Sequence, residues 1–332
     1  MRPSSVLWQT FRCTWPSKSG GDPMNSAPHS REAWTNADLA QRTEHTLDFD
    51  EGIIEELLQW RRDCPEVVDD EVTHGAVAGM SRLEQLALQT RQEVYHGSGV
   101  VRVSAPPEAL IDDDLLRRYY LAFGVHLGTP LGNYGRLYEV RDRGGDYTKT
   151  AIPVSQTRAA TGLHTDSSAV DVLPDLVGLI CIRPAPEGGA SRIACALLAH
   201  QKLSQQYPEL CRILEEPHYR DIVTPGADQS QRLRNRFAVF DVRDASRGPI
   251  CRYMRFWIEK GYEKAEIKPH PRLQEALDCF DAILEEPDSV ATFTLKRGEM
   301  LWVDNTTTLH DRTAYEDDPD APRLLLRQWV VG

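Results

Sequence analysis

Two histidines and one aspartate, far apart in the chain, place the strongest constraint on its fold. His164 and Asp166 lie two residues apart in segment 161–168 (TGLHTDSS), and His310 stands much later, in segment 303–312 (VDNTTTLHDR). If both segments are strands, residues two apart point to one face, and a neighbouring strand can bring His310 to that face. Two imidazoles and one carboxylate leave half of an octahedron open, which suits Fe(II) that must also bind a co-substrate and O2. The three residues therefore predict a non-haem iron oxygenase.

The C-terminal segment predicts an anion-binding site beside this metal. Segment 323–331 (RLLLRQWVV) is an apolar run that contains two arginines, Arg323 and Arg327. In a strand, both share one face with Leu325, and a strand buried enough to hold three consecutive leucines does not bury guanidinium groups without anions. An arginine at this place is suited to bind a carboxylate through two parallel hydrogen bonds.

Five motifs stand in order along the chain: HTD at 164–166, EGGAS at 187–191, GEMLWVDN at 298–305, HDRTAY at 310–315 and RLLLR at 323–327. Together they resemble the TauD/TfdA (taurine dioxygenase-like, clavaminate synthase-like) family of Fe(II)/2-oxoglutarate-dependent oxygenases. The resemblance runs from about Gly97 to the C-terminus. Five ordered motifs are far more specific than any one of them.

The resemblance implies a role for each of five residues. His164, Asp166 and His310 are the implied iron ligands. Arg323 is the implied clamp for the distal carboxylate of 2-oxoglutarate, and Ser191, where the family more often has threonine, is implied to donate a hydroxyl to it. No catalytic residue beyond the metal ligands is expected. The implied reaction consumes O2 and 2-oxoglutarate, releases succinate and CO2, and oxidises a substrate C–H bond, usually by hydroxylation. Asp166 also argues against halogenation, because halogenating relatives have a small residue there.

Further arginines predict that the substrate is a small, polar, anionic metabolite, such as an amino acid or a derivative of one. Arg327 shares a face with the implied co-substrate clamp, and Arg252 and Arg255 stand in a segment that lines the substrate pocket in relatives (251–257, CRYMRFW). Positive charge at a pocket mouth attracts anions to an otherwise acidic protein. The alternative is that Arg327 only supports the co-substrate and that the others belong to a half-exposed strand.

Asn133 and Gln156 precede the metal motif at places where relatives contact substrate or co-substrate, and Asn133 is included among the expected substrate-binding residues. Polar residues of turns are the alternative interpretation of both. The reaction outcome also stays open, because desaturation, epoxidation and ring closure depend on where the pocket holds the C–H bond.

Composition excludes several other classes of protein. The chain has 332 residues, of which 41% are hydrophobic and 27% charged, as in ordinary globular proteins. A net charge of -12 argues against a nucleic-acid partner, and no apolar run approaches the length of a membrane span. The seven cysteines are odd in number and lack a Cys-x-x-Cys pair, which is typical of reduced thiols in a cytoplasmic protein.

The chain is expected to contain a disordered N-terminal extension over residues 1–40, with a transit peptide as the alternative, and a single oxygenase domain over 41–332. Helices are predicted from Asp48 onward and at 81–95, 111–127, 197–205, 208–216 and 271–286. Strands are predicted at 99–103, 176–182, 191–194, 237–240, 250–253, 290–295, 299–303 and 307–310. Many short, mostly antiparallel strands with helices between them predict a mostly β fold with α: a double-stranded β-helix (jelly roll, cupin-like core) with flanking and inserted helices.

Two other functions compete with the oxygenase. A non-catalytic binding or sensor protein could keep the same jelly roll, but such a protein is expected to lose a ligand or the arginine, and here none is missing. A hydrolase lacks support, because the chain has no Gly-x-Ser-x-Gly motif and Cys181 stands in an apolar strand. A small-molecule substrate is therefore the expected partner, and a homo-oligomer is left open.

Overall fold

The computed structural model describes residues 31–132, 135–145, 153–167, 169, 173–221, 235–244 and 248–332. The helices, in chain order, are α1 (Asn36–Gln41), α2 (Gly52–Asp63), α3 (His74–Val77), α4 (Ser81–His96), α5 (Asp113–Leu127), α6 (Ala196–Gln206), α7 (Pro208–Leu214), α8 (Arg255–Ala265) and α9 (Leu273–Leu284).

The strands, in chain order, are β1 (Thr46–Leu47), β2 (Val100–Val103), β3 (Thr129–Pro130), β4 (Tyr138–Val140), β5 (Leu176–Arg183), β6 (Glu187–Gly188), β7 (Ser191–Cys195), β8 (His218–Tyr219), β9 (Arg236–Phe237), β10 (Phe240–Asp241), β11 (Ile250–Cys251), β12 (Val290–Phe293), β13 (Met300–Asp304), β14 (Thr308–Arg312), β15 (Tyr315–Glu316) and β16 (Leu324–Val331). Helices and strands are thus mixed along the whole described chain.

Two sheets carry the site. The larger has seven strands in the order β1-β2-β13-β5-β16-β3, with β4 also pairing with β16, and the smaller has the order β12-β7-β14. All of these pairs are antiparallel except β1 with β2. Side chains of β5, β13 and β16 form one buried cluster with side chains of β7 and β12. The two sheets therefore pack face to face, and side chains at alternate positions point into the space between them.

The outer face of the larger sheet is covered by helices α2, α4 and α5. The buried residues of α4 recur at helical spacing, Leu83, Leu86, Ala87, Thr90 and Val94, and so form one apolar stripe. On the sheet side, Trp302 of β13 is fully buried over Gly178 of β5, where an added Cβ would lie 2.4 Å from the indole ring. Glycine at this position therefore allows the tryptophan to lie flat between the sheet and its helices.

The outer face of the smaller sheet is covered by helices α6, α7 and α9. Along β7, Ala194 belongs to the cluster with these helices, whereas Ile193 belongs to the cluster between the sheets. In β14, Leu309 pairs with Ala194 and His310 pairs with Ile193. Because paired residues of antiparallel strands point to the same face, His310 points into the space between the two sheets.

Most predicted elements are confirmed, and the remaining ones differ for local reasons. The predicted helices at 81–95, 111–127, 197–205, 208–216 and 271–286 each match an observed helix within a few residues. The predicted strand at 237–240 is divided, because Phe237 pairs with His218 while Phe240 pairs with Cys251. His218, which follows the predicted helix at 208–216, lies on β8. Segment 255–265 was not predicted as a helix, although it forms α8.

Residues 34–40, which the sequence predicted to belong to a disordered N-terminal extension over residues 1–40, are ordered. Trp34 is buried, its Nε1 donates to the Ser98 carbonyl at 2.7 Å, and α1 begins at Asn36 with Thr35 as its cap. Residues 1–30 lie outside the described residues. Of the cysteines, Cys13 is also outside, and the other six are free thiols. Among the helices described, none is long and apolar enough to cross a membrane.

Candidate metal and co-substrate site

Backbone hydrogen bonds bring the first and last predicted ligands together. The N–H of His164 donates to the carbonyl of His310 at 3.1 Å, and the N–H of His310 donates back to the carbonyl of His164 at 2.9 Å. This is an isolated antiparallel bridge, so the premise that His164 lies on a strand is wrong. Asp166 lies instead in a turn, followed by Ser167 with a left-handed φ of 55°. The turn, and not strand alternation, directs Asp166 towards the two histidines.

A buried asparagine fixes this turn. Asn305 is fully buried, its Oδ1 accepts from the N–H of Asp166 at 2.8 Å, and its Nδ2 donates to the carbonyls of Asp166 and Pro174, each at 3.1 Å. On the other side, the N–H of Thr165 donates to the Tyr253 carbonyl at 2.8 Å. The Asn305 side chain therefore positions the Asp166 backbone.

The three side chains form a set that could hold one metal ion. Nε2 of His164 lies 3.7 Å, and Nε2 of His310 lies 3.9 Å, from Oδ1 of Asp166. One ligand atom of each residue lies within 4.8 Å of the other two. Nδ1 of His164 lies 2.9 Å from the Gly162 carbonyl oxygen. Because a carbonyl can only accept, Nδ1 carries the ring proton and donates it to this oxygen. Nε2 therefore keeps its lone pair, which faces the carboxylate.

The charges of these groups suit a divalent metal. Burial raises the pKa of Asp166, but Arg327 and the two histidines lower it more, to about 2. Burial and the neighbouring His164 lower the pKa of His310 to about 3. At neutral pH Asp166 is therefore a carboxylate and His310 a neutral imidazole, which are the forms that bind metals.

The second oxygen of Asp166 is held by two residues of β16. Nε1 of Trp329 donates to Oδ2 at 2.7 Å, and Nη1 of Arg327 lies 3.1 Å from the same atom. Oδ1 remains directed at the two histidines. Trp329 was not singled out from the sequence, where it is one apolar residue among several. Hydrogen bonds of this kind to a ligating carboxylate fix its orientation and affect metal affinity.

Arg327 has a more defined environment than the sequence suggested. Its guanidinium stacks on Tyr138 at 4.8 Å and on Trp329 at 4.6 Å from the ring centres. Nε2 of Gln156 donates to the hydroxyl of Tyr138 at 2.9 Å. Gln156, Tyr138 and Arg327 thus form a chain of contacts that leads to Asp166. Arg327 lies on the predicted face of β16, next to Asp166, a predicted metal ligand.

Arg323 is a buried cation immediately before β16. It is 3% exposed, burial lowers the pKa of its guanidinium, and its Nη1 has no hydrogen-bond partner in the part of the chain that the structure describes. The guanidinium lies 4.9 Å from the ring centre of Tyr315, and the neighbouring Gly189 leaves it space, since an added Cβ would lie 3.3 Å from Nε. A buried guanidinium with an unused donor is suited to an anion. Ser191 is also buried, on β7.

Arg312 is a second buried arginine in this region, and its place was not predicted. Like Arg323, it lies over the Tyr315 ring, 4.7 Å from the ring centre, and its Nη2 donates to the Thr157 carbonyl. Burial and the neighbouring Arg323 lower its pKa to about 10. The preceding residue, Asp311, is buried and pairs with Arg192.

Arg255, a predicted substrate-binding residue, lies on α8 with its charge already balanced. Its guanidinium contacts Asp281 at 2.5 Å, Asp278 at 2.6 Å and Glu259 at 2.8 Å. It borders a cavity of about 320 Å³ that also reaches Gly162, next to the metal turn. The guanidinium of Arg252 stacks on Phe237 at 3.6 Å. Asn133 lies outside the described residues.

Comparisons with known proteins indicate the family of the chain. The family described as "Taurine catabolism dioxygenase TauD, TfdA family" matches residues 72–329. FR-33289 synthase of Streptomyces rubellomurinus is 27% identical over 314 residues, covering 90% of this chain and 89% of that protein. Uridine-5'-phosphate dioxygenase of a Streptomyces species is 29% identical over 210 residues, covering 58% of this chain and 70% of that protein.

Solved structures of two oxygenases share the fold. Asparagine oxygenase aligns with a TM-score of 0.63 at 18% identity, covering 87% of this chain and 93% of that one. The non-haem iron oxygenase OrfP, in complex with Fe and α-ketoglutaric acid, aligns with a TM-score of 0.60 at 13% identity, covering 86% and 93%.

The chain belongs to the TauD/TfdA family, because the family match spans well over half of its length. It is an Fe(II)/2-oxoglutarate-dependent oxygenase, with Fe(II), 2-oxoglutarate and O2 as its cofactor and co-substrates.

Proposed function

We propose that this oxygenase hydroxylates a C–H bond of a small, polar, anionic metabolite and releases succinate and CO2. We assign Fe(II) to His164, Asp166 and His310, and the distal carboxylate of 2-oxoglutarate to Arg323 and Ser191. The observation that carries the assignment is the convergence of two imidazoles and one carboxylate beside a buried arginine that has an unused donor. We further propose that the two facing sheets form a double-stranded β-helix and belong to one oxygenase domain, which reaches from Trp34 to the C-terminus.

The protein's part in this reaction is to position and shield the reacting groups. When bound, the iron supplies the activation of O2. Asp166 and the two histidines would hold the ion and leave positions on it for 2-oxoglutarate and O2. Trp329 and Arg327 hold Oδ2 of Asp166, so that Oδ1 keeps its direction. His310 is neutral at neutral pH, and therefore no proton must leave this ligand before the metal binds.

Arg323 supports the co-substrate assignment through its charge and burial. A guanidinium that is 3% exposed would be costly without an anionic partner. The five-carbon dicarboxylate 2-oxoglutarate can chelate a metal through its keto acid end and extend its far carboxylate to a separate cation. Two parallel hydrogen bonds from Arg323 would then fix the direction of the molecule. Ser191 lies two residues after Gly189, which borders Arg323, and this proximity supports its share in the same carboxylate.

Arg327 supports an anionic substrate. Named substrates of relatives and neighbours include uridine 5'-phosphate, γ-butyrobetaine and asparagine, and each carries a phosphate or a carboxylate. Arg327 is 3.1 Å from a proposed iron ligand, and its guanidinium has further donors that could meet an acid group beside the metal. We do not extend this role to Arg255, because three carboxylates already contact its guanidinium.

A succinate assay with a panel of candidates tests the proposal. Purified protein with Fe(II), 2-oxoglutarate and O2 is offered amino acids, nucleoside monophosphates, sulfonates and aryloxy acids, and neutral polyketides and terpenoids serve as the opposing class. We expect turnover only when the candidate substrate is an acid. Succinate should then form in proportion to a product that is heavier by one oxygen atom. Arg327→Gln should raise the KM for that acid, whereas Arg243→Gln, on an exposed side chain, should not. Coupled turnover of a neutral compound, with no response to any acid, would overturn the substrate assignment.

A further inference from the structure

A second cluster of metal-binding side chains lies among the helices that cover the larger sheet. It consists of His74 on α3, Glu84 in the first turn of α4 and His126 in the last turn of α5. One ligand atom of each lies within 4.8 Å of the other two. The rings of His74 and His126 meet edge to face, with 5.2 Å between their centres. These residues come from three helices and from none of the segments that carry the candidate iron site.

His126 supplies an independent sign that this cluster has a ligand. It is 7% exposed, and neither of its ring nitrogens makes a hydrogen bond of ordinary length and angle within the described ranges, although the Val77 backbone lies beside the ring. Buried polar side chains nearly always have a partner, and one without a partner calls for an explanation. A metal ion in front of the ring would use one of the two nitrogens.

The charges around the cluster also agree with a bound metal ion. Burial lowers the pKa of His126, with Glu84 and the Val77 backbone acting in the opposite direction. Glu84 is half-buried and brings a negative charge that a cation would balance. His74 is exposed, so water can reach the fourth position.

A third cluster, His200 with Cys211 and Glu215, differs from the His126 cluster because its polar groups already have partners. Nε2 of His200 already pairs with Oε1 of Glu215 at 3.0 Å, and Sγ of Cys211 lies 3.5 Å from the same oxygen. Burial and the nearby Glu215 carboxylate raise the pKa of Cys211 to about 12, so no thiolate is present at neutral pH. The polar groups of this third cluster contact one another, so they do not indicate a bound ion.

We propose that His74, Glu84 and His126 bind a zinc ion, with a water molecule as the fourth ligand. Two imidazoles, one carboxylate and a water form a common tetrahedral zinc set, and zinc binds such nitrogen and oxygen donors more tightly than iron(II) does. The ion links three helices. Its main effect falls on α3, which has four residues and is far too short to be stable alone. The site is structural and lies apart from the oxygenase reaction.

The test must separate this site from the iron site, because both have two histidines and one carboxylate. The full chain carrying His164→Ala and His310→Ala removes two of the three proposed iron ligands. Zinc alone is titrated into it by calorimetry, and cobalt(II) alone is followed by visible absorption, which reports a tetrahedral site. We expect one ion per chain in this background and two in the parent protein.

Ligand variants in the same background identify the residues. His74→Ala and Glu84→Gln, both on the accessible side of the cluster, should each weaken zinc binding at least about tenfold and abolish the tetrahedral cobalt spectrum. The matched controls His270→Ala and Glu55→Gln change an exposed histidine and an exposed glutamate elsewhere, and should leave both readouts unchanged. Zinc should also raise the melting temperature of the background protein but not that of its His74→Ala form. Absence of zinc binding in the background, or binding unchanged by His74→Ala and Glu84→Gln, would overturn the proposal.

Discussion

Replacing Trp329 with phenylalanine should weaken metal binding without dismantling the site. The indole Nε1 donates to Oδ2 of Asp166 at 2.7 Å, and both side chains are buried. Hydrogen bonds to charged groups contribute about 1.5–3 kcal/mol. Phenylalanine removes the donor but retains an aromatic ring beneath Arg327, which stacks on Trp329 at 4.6 Å. Trp329→Phe therefore isolates the hydrogen bond from most of the packing.

The expected loss lies at the lower end of this range. Arg327 contacts the same oxygen at 3.1 Å and remains in the variant, so Asp166 keeps one of two supports. A loss of about 1.5 kcal/mol corresponds to a dissociation constant for Fe(II) that is about tenfold higher. Partners of metal ligands typically have effects of about 10–100-fold, which agrees with this value.

Anaerobic titration with Fe(II) in the presence of 2-oxoglutarate measures the effect, through the visible charge-transfer absorption of the chelate. The matched control is Trp302→Phe, on the opposite face of the same sheet. Trp302 is fully buried, and its indole nitrogen has no hydrogen-bond partner among residues that the structure describes. The control should bind Fe(II) as the parent does. If Trp329→Phe stays within twofold of the parent, or if both variants weaken binding equally, the hydrogen bond has no such role.

Three further predictions follow from the same geometry. Arg323→Gln should raise the 2-oxoglutarate concentration needed for half-maximal charge-transfer absorption at least about tenfold, because a charge-assisted pair is worth about 1.5–3 kcal/mol. An unchanged requirement would assign the co-substrate carboxylate to another residue. His310→Ala should abolish both this absorption and succinate formation, and either signal at the parent's level would contradict its role as a ligand. Burial lowers the pKa of His218 from 6.5 to about 4, so His218 binds its proton more weakly in the folded chain than in the unfolded one. The free energy of unfolding, measured in urea, should therefore fall by about 2 kcal/mol between pH 7 and pH 5, and His218→Gln should remove this part of the pH dependence.

The sequence predicted the elements whose periodicity is strong and the ligands whose chemistry is specific. The stripe of α4 recurs at helical spacing, and the helix lies where that stripe predicts it. Helix α8 was missed because only Ile258 and Gly261 of its residues are buried, which leaves no apolar stripe to recognise. His164, Asp166 and His310 could be proposed from residue type and order, and the structure brings them together.

The contacts that support these residues could not be predicted, because they depend on long-range register. β16 lies beside the turn that carries Asp166, and its pairing with β5 shifts register between Leu324 and Leu325. Trp329 reaches Asp166 only in this arrangement. The Asn305 side chain holds the same turn through hydrogen bonds that join distant parts of the chain. Likewise, the three carboxylates around Arg255 come from two helices, and nothing in segment 251–257 indicates them.

The bridge between His164 and His310 has a consequence for how the protein acquires its iron. Both proposed ligands are joined by reciprocal backbone hydrogen bonds across a long stretch of chain, and Asn305 from the same distant segment holds the backbone of Asp166. Contacts of such high sequence separation are costly to form before the intervening loop is closed. We therefore expect the three side chains to come together only in the folded chain. Protein produced without iron should then be folded and inactive, and iron alone should activate it.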